Sequence, residues 1–393
     1  MTQKYIAICP EEIKEMVSKE LKDLGAIQIE AGFKSVRFSA TTEKIYEILL
    51  KIRTASRILR ILREGSATKE IILKSQSSRI NWPKLISSSH GFIVRGVAGD
   101  RGPDAFSSNE ISKIVKEGIF LSFRQKNLSP PKIDLMDPKI SVVAFIHDQK
   151  VTISLDISGK SHHKRGYRED GHPAPIKETL ASALLMLVGY DGSQNFLDPM
   201  CGSGTIGIES AYIALNKAPL IHRKKGDFGV EWLLDFDRHL WKNVQDKVRS
   251  ERLTEPKNKI FLSDISENYT SMARNNALKA RVEKHICFST RSFIDMQPPA
   301  STGILIANLP YGERLKSEES EEFKKFYQQI GNTLKRNFTG WTAALLTSED
   351  APYKFIGLKP RRKLPILNGS IKCKLLIFDL YEGRKGQKTP SIS

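Results

Sequence analysis

The sequence predicts an α/β protein: a C-terminal part built on a mostly parallel sheet, preceded by two smaller α/β units. Three observations carry this. From residue 195 onward, short apolar runs alternate with helix-period stretches, the pattern of strands covered on both faces by crossover helices. The first 65 residues read β-α-β-β-α-β, a ferredoxin-like order. A glycine turn, Gly202-Ser-Gly204, stands between a strand pattern and a helix pattern.

In residues 1–65, the apolar run Tyr5–Cys9 is a strand. Pro10 opens a helix with Ile13, Met16, Val17, Leu21 and Leu24 on one face, closed by Gly25. Strands follow at Ala26–Glu30 and Ser35–Ser39. A second helix carries Ile45, Ile48, Leu49 and Ile52 and runs into a strand at Arg57–Arg63. Residues 66–158 form a second unit. Gly91–Val97 is its first strand, and Ser107 with Glu110 has capping-box spacing before a helix with Ile111, Ile114, Val115, Ile119 and Phe123. Ile140–His147 and Val151–Ile157 read as a hairpin across Asp148-Gln149. Residues 159–393 form the third unit. A basic link, Ser161–Arg168, leads through Pro173-Ala-Pro175 to a helix over Ile176–Leu187. Strands at Phe196-Leu197, Lys259–Leu262, His285–Thr290, Gly303–Ala307, Thr342–Leu346 and Cys373–Tyr381 alternate with helices such as Ile206–Leu215 and Ser266–Leu278.

Composition narrows the function. The 393 residues are 40% hydrophobic and 27% charged, enough apolar material for real cores, which excludes global disorder. No apolar run approaches the ~20 residues that span a bilayer, and Glu11-Glu12 stands where a signal peptide would be apolar. The expectation is a soluble, cytoplasmic protein. Cys9, Cys201, Cys287 and Cys373 are scattered without a CxxC pair, and the eight histidines show no ligand spacing beyond His162-His163. That predicts neither a disulfide framework nor a metal site. The formal charge of +18 points to a polyanion, nucleic acid rather than membrane, because no long basic amphipathic helix stands out. Residues 1–155 hold 25 basic and 17 acidic side chains, and the remainder 37 and 27, so more than one unit would face the polyanion. A generally basic soluble protein would show the same excess.

Asp198-Pro-Met-Cys-Gly-Ser-Gly-Thr205 is the first chemical motif. Its glycines allow a tight turn and close ligand approach, and the helix behind offers free N–H groups. Gly202, Gly204 and Gly207 also satisfy the dinucleotide spacing, but no acid follows at the ~20-residue distance of such sites. No Lys follows Gly204, which excludes a Walker phosphate loop. Asp198 would repel a pyrophosphate and suits a cationic ligand, of which S-adenosylmethionine is one. The loop candidates for that ligand are Asp198, Pro199, Cys201, Gly202, Gly204 and Thr205. A plain strand–turn–helix loop would carry the same glycines. Asp264 ends a strand, where a carboxylate can accept both hydroxyls of a ribose or cap the next helix, with Ile265 beside it. Ser292 and Phe293 follow the next strand and complete the candidates for that ligand.

Asn308-Leu-Pro-Tyr311 directly follows an apolar strand. A planar exocyclic amine is a poor nucleophile because its lone pair is delocalised into the ring. The Asn308 side-chain oxygen and a carbonyl at Leu309 or Pro310 can accept its hydrogens and aim its nitrogen, while Tyr311 stacks on the base. These predict Asn308, Pro310 and Tyr311 as the catalytic set, with Asn308 also bordering the cofactor. A proline turn after a strand is the alternative.

At these residues the chain resembles the THUMP-containing class I S-adenosylmethionine-dependent RNA guanine-N2 methyltransferases, particularly the bacterial 23S rRNA branch. The resemblance rests on Arg165-Gly-Tyr-Arg168, Ala174-Pro-Ile-Lys-Glu178, the Asp198 loop and Asn308-Leu-Pro-Tyr-Gly-Glu-Arg-Leu315, and it covers nearly the whole chain. Leu309 departs from the family's usual proline, as in some tRNA-modifying relatives, and Ser292 stands where relatives often carry an adenine-binding Asp. The resemblance implies a Rossmann-like methyltransferase domain over 159–393, a THUMP RNA-binding unit over 66–158 and a ferredoxin-like unit over 1–65. It implies that Pro175 and Lys177 border the cofactor and that Arg314 flanks the substrate pocket. It also suggests RNA contacts at Arg95, Arg101, Lys164, Arg165 and Arg168. The expected function is N2-methylguanosine formation, in rRNA before tRNA. Adenine-N6 methylation, and an RNA-binding or assembly factor with an idle methyltransferase fold, stand as alternatives.

Overall fold

The computed structural model describes residues 2–99, 105–168, 176–310 and 321–381. Arg101, Pro175, Tyr311 and Arg314 from the sequence reading lie outside the described residues. The chain divides into two compact units, Met1–Arg165 with Ala218–Ser250, and Gly166–Lys217 with Glu251–Ser393.

The first unit opens with β1 (Thr2–Ile8), α1 (Lys14–Asp23), β2 (Ile27–Gly32), β3 (Ser35–Thr41), α2 (Thr42–Lys51) and β4 (Arg57–Ser66). Next come α3 (Glu70–Ser78), β5 (Phe92–Ala98), α4 (Ser108–Arg124), β6 (Ile140–His147) and β7 (Lys150–Asp156). All seven strands share one sheet, ordered β2-β3-β1-β4-β7-β6-β5. The ferredoxin-like order is present, with β1 antiparallel to both β3 and β4. β4 also pairs antiparallel with β7, so the strands of the second small unit continue the sheet of the first.

Local signals act as expected. Ser107 Oγ accepts the Glu110 N–H, and the Glu110 carboxylate accepts the Ser107 N–H, completing the capping box of α4. Asp148 and Gln149 both take left-handed φ (48° and 56°), as the tightest hairpin turn requires of its two central residues.

The segment Ala218–Ser250 departs from the sequence reading, which runs 159–393 as one unit. Its helix α7 (Arg238–Ser250) buries Trp241, Val244 and Val248 at i, i+3 and i+7. Trp241 meets Tyr46 of α2 edge-on at 5.2 Å and Phe228 at 5.1 Å. The Leu220 N–H donates to the Leu50 carbonyl (3.2 Å). An amphipathic pattern fixes which face is buried but not which distant helix receives it.

The second unit contains α5 (Glu178–Leu187), β8 (Phe196–Asp198), α6 (Thr205–Ala214), β9 (Ile260–Asp264), α8 (Glu267–Lys279) and β10 (Ile286–Thr290). It ends with β11 (Gly303–Asn308), α9 (Glu321–Asn337), β12 (Trp341–Ser348), β13 (Arg362–Asn368) and β14 (Ile371–Asp379). The sheet order is β10-β9-β8-β11-β12-β14-β13. β10, β9, β8, β11 and β12 run parallel, and β14 is antiparallel to both β12 and β13. Pro365, which cannot donate to a ladder, sits on the edge strand β13. The order reverses between β8 and β11, which opens a crevice beyond the C-terminal ends of those strands. Among the described residues, no helix is long and apolar enough to cross a membrane.

His162 in the first unit is fully buried, and burial pushes its pKa well below the ordinary 6.5, with Arg223 and Arg165 pushing the same way. The folded form therefore keeps a neutral imidazole while the unfolded chain takes up a proton. Stability should fall as pH drops below 6.5, by up to about 1.4 kcal/mol per pH unit for this group. Denaturant titrations of the wild type and of His162→Gln between pH 7.5 and 5 check this: the variant should show the shallower dependence.

Candidate active site

Three adjacent parallel strands deliver the polar side chains. Asp198 ends β8 in register with Leu262 of β9, and Leu197 pairs with Leu305 of β11. Asp264 on one side and Asn308 on the other therefore stand two residues beyond the level of Asp198. The three border one cavity of about 300 Å³, together with Pro199, Cys201, Gly202, Thr205, Ile265, Ser292, Phe293 and Pro310.

The loop after β8 is shaped by its glycines. Gly202 and Gly204 take left-handed φ (51° and 81°), and Gly204 is the N-cap of α6. A Cβ on Gly204 would lie 2.9 Å from Cβ of Ala273, and one on Gly207 would lie 2.3 Å from Cδ1 of Leu262. The first glycines make the turn; Gly207 lets α6 lie close on β9. The Cys201 N–H donates to the Ser263 carbonyl (2.9 Å) and ties the loop to β9.

Asp264 holds this loop from across the crevice. Its Oδ2 accepts the Gly202 N–H and its Oδ1 accepts the Ser266 N–H, both at 3.0 Å. Ser266, not Asp264, is the N-cap of α8. Asp198 is 1% exposed, and burial drives its carboxyl well above the usual range. The Met200 N–H (3.3 Å) opposes that shift, and the charge of Asp264 adds to it. Burial likewise raises the Cys201 thiol, followed by the charges of Asp198 and Asp264, so it stays neutral and is no nucleophile. A pair of carboxylates with one held against ionisation is a receptor for a cation.

At the far wall, the Asn308 Oδ1 is buried and accepts no hydrogen bond among the described residues. An acceptor left so at the end of a strand, in a cavity, is costly unless a ligand donates to it. Ser292 Oγ accepts the Ile294 N–H (3.2 Å), and Phe293, 3% exposed, borders the cavity while packing into the core behind it. Ile265 is 76% exposed at the rim, an apolar side chain free to cover a flat ring. Lys177 is exposed at the N-cap of α5 and does not line the cavity. Ile176, Met200, Ser203, Ile206, Tyr269, Ile294 and Phe326 complete the walls, not singled out in the sequence because most are apolar or aromatic and read as core.

The basic link corrects two expectations. Arg165 is 5% exposed, and its guanidinium donates to the carbonyls of His162 and Arg53, both at 2.7 Å. Arg168 donates to the Ile176 carbonyl (2.8 Å) and Thr205 Oγ1 (3.0 Å) and lies 3.5 Å from Glu178. Neither is a free RNA-facing cation: the first braces the end of its unit, and the second ties α5 to the start of α6. Arg95 and Lys164 are exposed. Among the described residues no group of His, Cys, Asp and Glu could hold a metal ion.

A seven-stranded sheet with one antiparallel strand beside its edge, a glycine loop after the first strand and an acid at the end of the next define a class I methyltransferase fold. Residues 165–377 match the RMKL-like methyltransferase domain family, residues 4–59 the RlmL ferredoxin-like domain and residues 68–156 the THUMP domain. The chain belongs to this family. It is 34% identical to ribosomal RNA large subunit methyltransferase K/L of Vibrio campbellii, over 96% of this chain and 53% of that protein. It spans about half the length of the K/L relatives that it matches. It is 32% identical, over 97% of both chains, to slr0064 of Synechocystis sp., provisionally named an RNA methyltransferase. The solved structure of SMU.472, provisionally described as a methyltransferase and complexed with SAH, superposes with a TM-score of 0.87 at 26% identity, over 98% of this chain and 99% of that one.

The Arg168 assignment is testable. Arg168→Met should destabilise the second unit by about 1.5–3 kcal/mol, the scale for hydrogen bonds to a charged group. Thermal unfolding checks this; an unchanged melting curve with weakened RNA binding would return Arg168 to the RNA surface.

Proposed function

We propose that the chain is an S-adenosylmethionine-dependent RNA methyltransferase acting on the 2-amino group of a guanine, in large-subunit rRNA. The observation that carries this is the buried, unpartnered Asn308 Oδ1 in the same cavity as Asp198 and Asp264. An amine-directed acceptor and a cation-accepting carboxylate pair together describe a site for methyl transfer to nitrogen. The SAH complex of SMU.472 and the K/L relatives support the cofactor and the RNA class. The residues present fit the cofactor: Asp198 and the loop at Gly202 and Gly204 would take its methionine end, Asp264 its ribose, and Ile265, Ser292 and Phe293 its base. When bound, S-adenosylmethionine supplies an electrophilic methyl group.

The protein's own part is alignment. The Asn308 oxygen and a carbonyl at Leu309 or Pro310 accept the two hydrogens of the exocyclic amine and fix its nitrogen. Those acceptors favour the positive charge that develops on nitrogen as its lone pair is used. Asp198 and Asp264 are assigned to the cofactor, so the proton passes to water after transfer. Tyr311 is proposed to stack on the target base, and Arg95 and Lys164 to meet the RNA backbone.

Asn308→Ala should leave cofactor affinity nearly intact and lower the single-turnover methylation rate by roughly 10²–10³. A near-normal rate would overturn the assigned role. Cofactor affinity should strengthen as pH rises through the elevated Asp198 pKa, since only the carboxylate attracts a cation. Calorimetry across pH tests this, and Asp198→Asn should bind weakly with a flat profile. Mass spectrometry of nucleosides from rRNA and tRNA of a deletion strain tests the substrate. Loss of N2-methylguanosine from rRNA is expected; loss from tRNA alone, or loss of N6-methyladenosine, would overturn the rRNA-guanine reading.

A further inference from the structure

A cleft of about 390 Å³ in the first unit lies between the start of β1 and the second half of β4. It exists because β1 pairs with β4 only from Tyr5↔Arg60 to Ile8↔Arg57, whereas β4 continues along β7 as far as Ser66. Within β4 the register slips: Arg60 faces Leu155, Ile61 faces Ser154, and the next pair is Arg63 with Ile153. Leu62 is thus the extra residue of a bulge. In a regular strand, residues three apart point to opposite faces. The bulge brings Arg60 and Arg63 to the same face, because their partners are two residues apart.

The Arg60 side chain is 9% exposed. Its Nη1 donates to Asp235 Oδ2 (2.8 Å), while Nε and Nη2 are buried with no hydrogen-bond partner among the described residues. A guanidinium desolvated with two of its three nitrogens unused is expensive unless an acceptor enters beside it. Arg63 spends only Nε, on Gln76 Oε1 (2.6 Å), and has no carboxylate partner among the described residues. Lys4, exposed at the lining, has none either. The acids of the lining are Asp235, held by Arg60, and Glu64, paired with Arg37 at 2.7 Å. On the face shared by Arg60 and Arg63, two cations therefore meet one carboxylate, Asp235; Lys4 and Glu64 belong to the other face of their strands. Two guanidinium groups on one face, with free N–H groups at the inner one, suit a tetrahedral oxyanion.

We infer that this cleft holds a phosphodiester of the RNA backbone on Arg60 and Arg63; the inference rests on the RNA reading above. It places a positioning contact in the ferredoxin-like strands, separate from the methylation cavity. Binding of the full-length chain to a large-subunit rRNA transcript, measured across a salt series, tests it, with titration by inorganic phosphate as a parallel arm. Arg63→Ala should weaken RNA binding about ten-fold and lower the log–log salt slope by about one. Arg60→Lys keeps a cation for Asp235 but loses the fork, and should act in the same direction. Affinity for S-adenosylmethionine should not change in either variant. Unchanged RNA affinity and salt slope in folded Arg63→Ala would overturn the inference. So would loss of phosphate binding with RNA affinity intact, which would mark a site for a free anion. A wild-type chain that binds no RNA would instead overturn the reading on which the inference rests.

Discussion

Two carboxylates at the ends of neighbouring parallel strands constrain the second unit. Asp198 and Asp264 are 1% and 8% exposed, and each must find donors without a bulk-water shell. Asp264 finds them in the backbone N–H groups of Gly202 and Ser266, which pins the loop after β8 to the turn after β9. That tie needs a chain path with left-handed φ at residues 202 and 204, and hence glycine at both. Among the described residues Asp198 accepts only the N–H of Met200, and burial holds its charge back. Loop shape, helix start and ligand preference thus follow from where two strands end.

What the sequence made legible was short-range. The Ser107–Glu110 box, the Asp148-Gln149 turn and the Gly204 helix start each involve residues within a few positions, so their geometry is written where they stand. The strand ends carrying Asp198, Asp264 and Asn308 were legible for the same reason, since apolar runs stop there. The helix over Glu70–Ser78 and the edge strand with Pro365 were not, because weak amphipathicity and a proline inside a strand blunt the usual patterns. Ala218–Ser250 was assigned by chain order, but Trp241 needed Tyr46, whose aromatic pocket no local pattern announces.

Charge misled in an instructive way. The link Ser161–Arg168 reads as a basic patch, yet Arg165 is consumed by backbone carbonyls and Arg168 by a carbonyl, a hydroxyl and Glu178. Arg223 behaves alike, donating to the carbonyls of Ser158 (3.1 Å) and Lys160 (2.9 Å). Guanidinium serves this purpose because its five N–H groups can bracket several carbonyls that no helix or sheet satisfies. Such a residue still adds to net charge, but the hydrogens it spends on carbonyls inside the fold are not offered to a phosphate.

A count of Lys and Arg therefore measures two different things. It sets the long-range field that draws a polyanion in, which falls off over about 8–10 Å at physiological salt. It does not set the number of contacts, which depends on donors left unspent after folding. By that measure Arg165 and Arg60, buried to a similar degree at 5% and 7% exposed, are opposites. The first has its carbonyls in place, while the second retains two nitrogens without partners at the wall of a cleft. Burial alone cannot tell a brace from a receptor; the hydrogen-bond inventory of the buried group does.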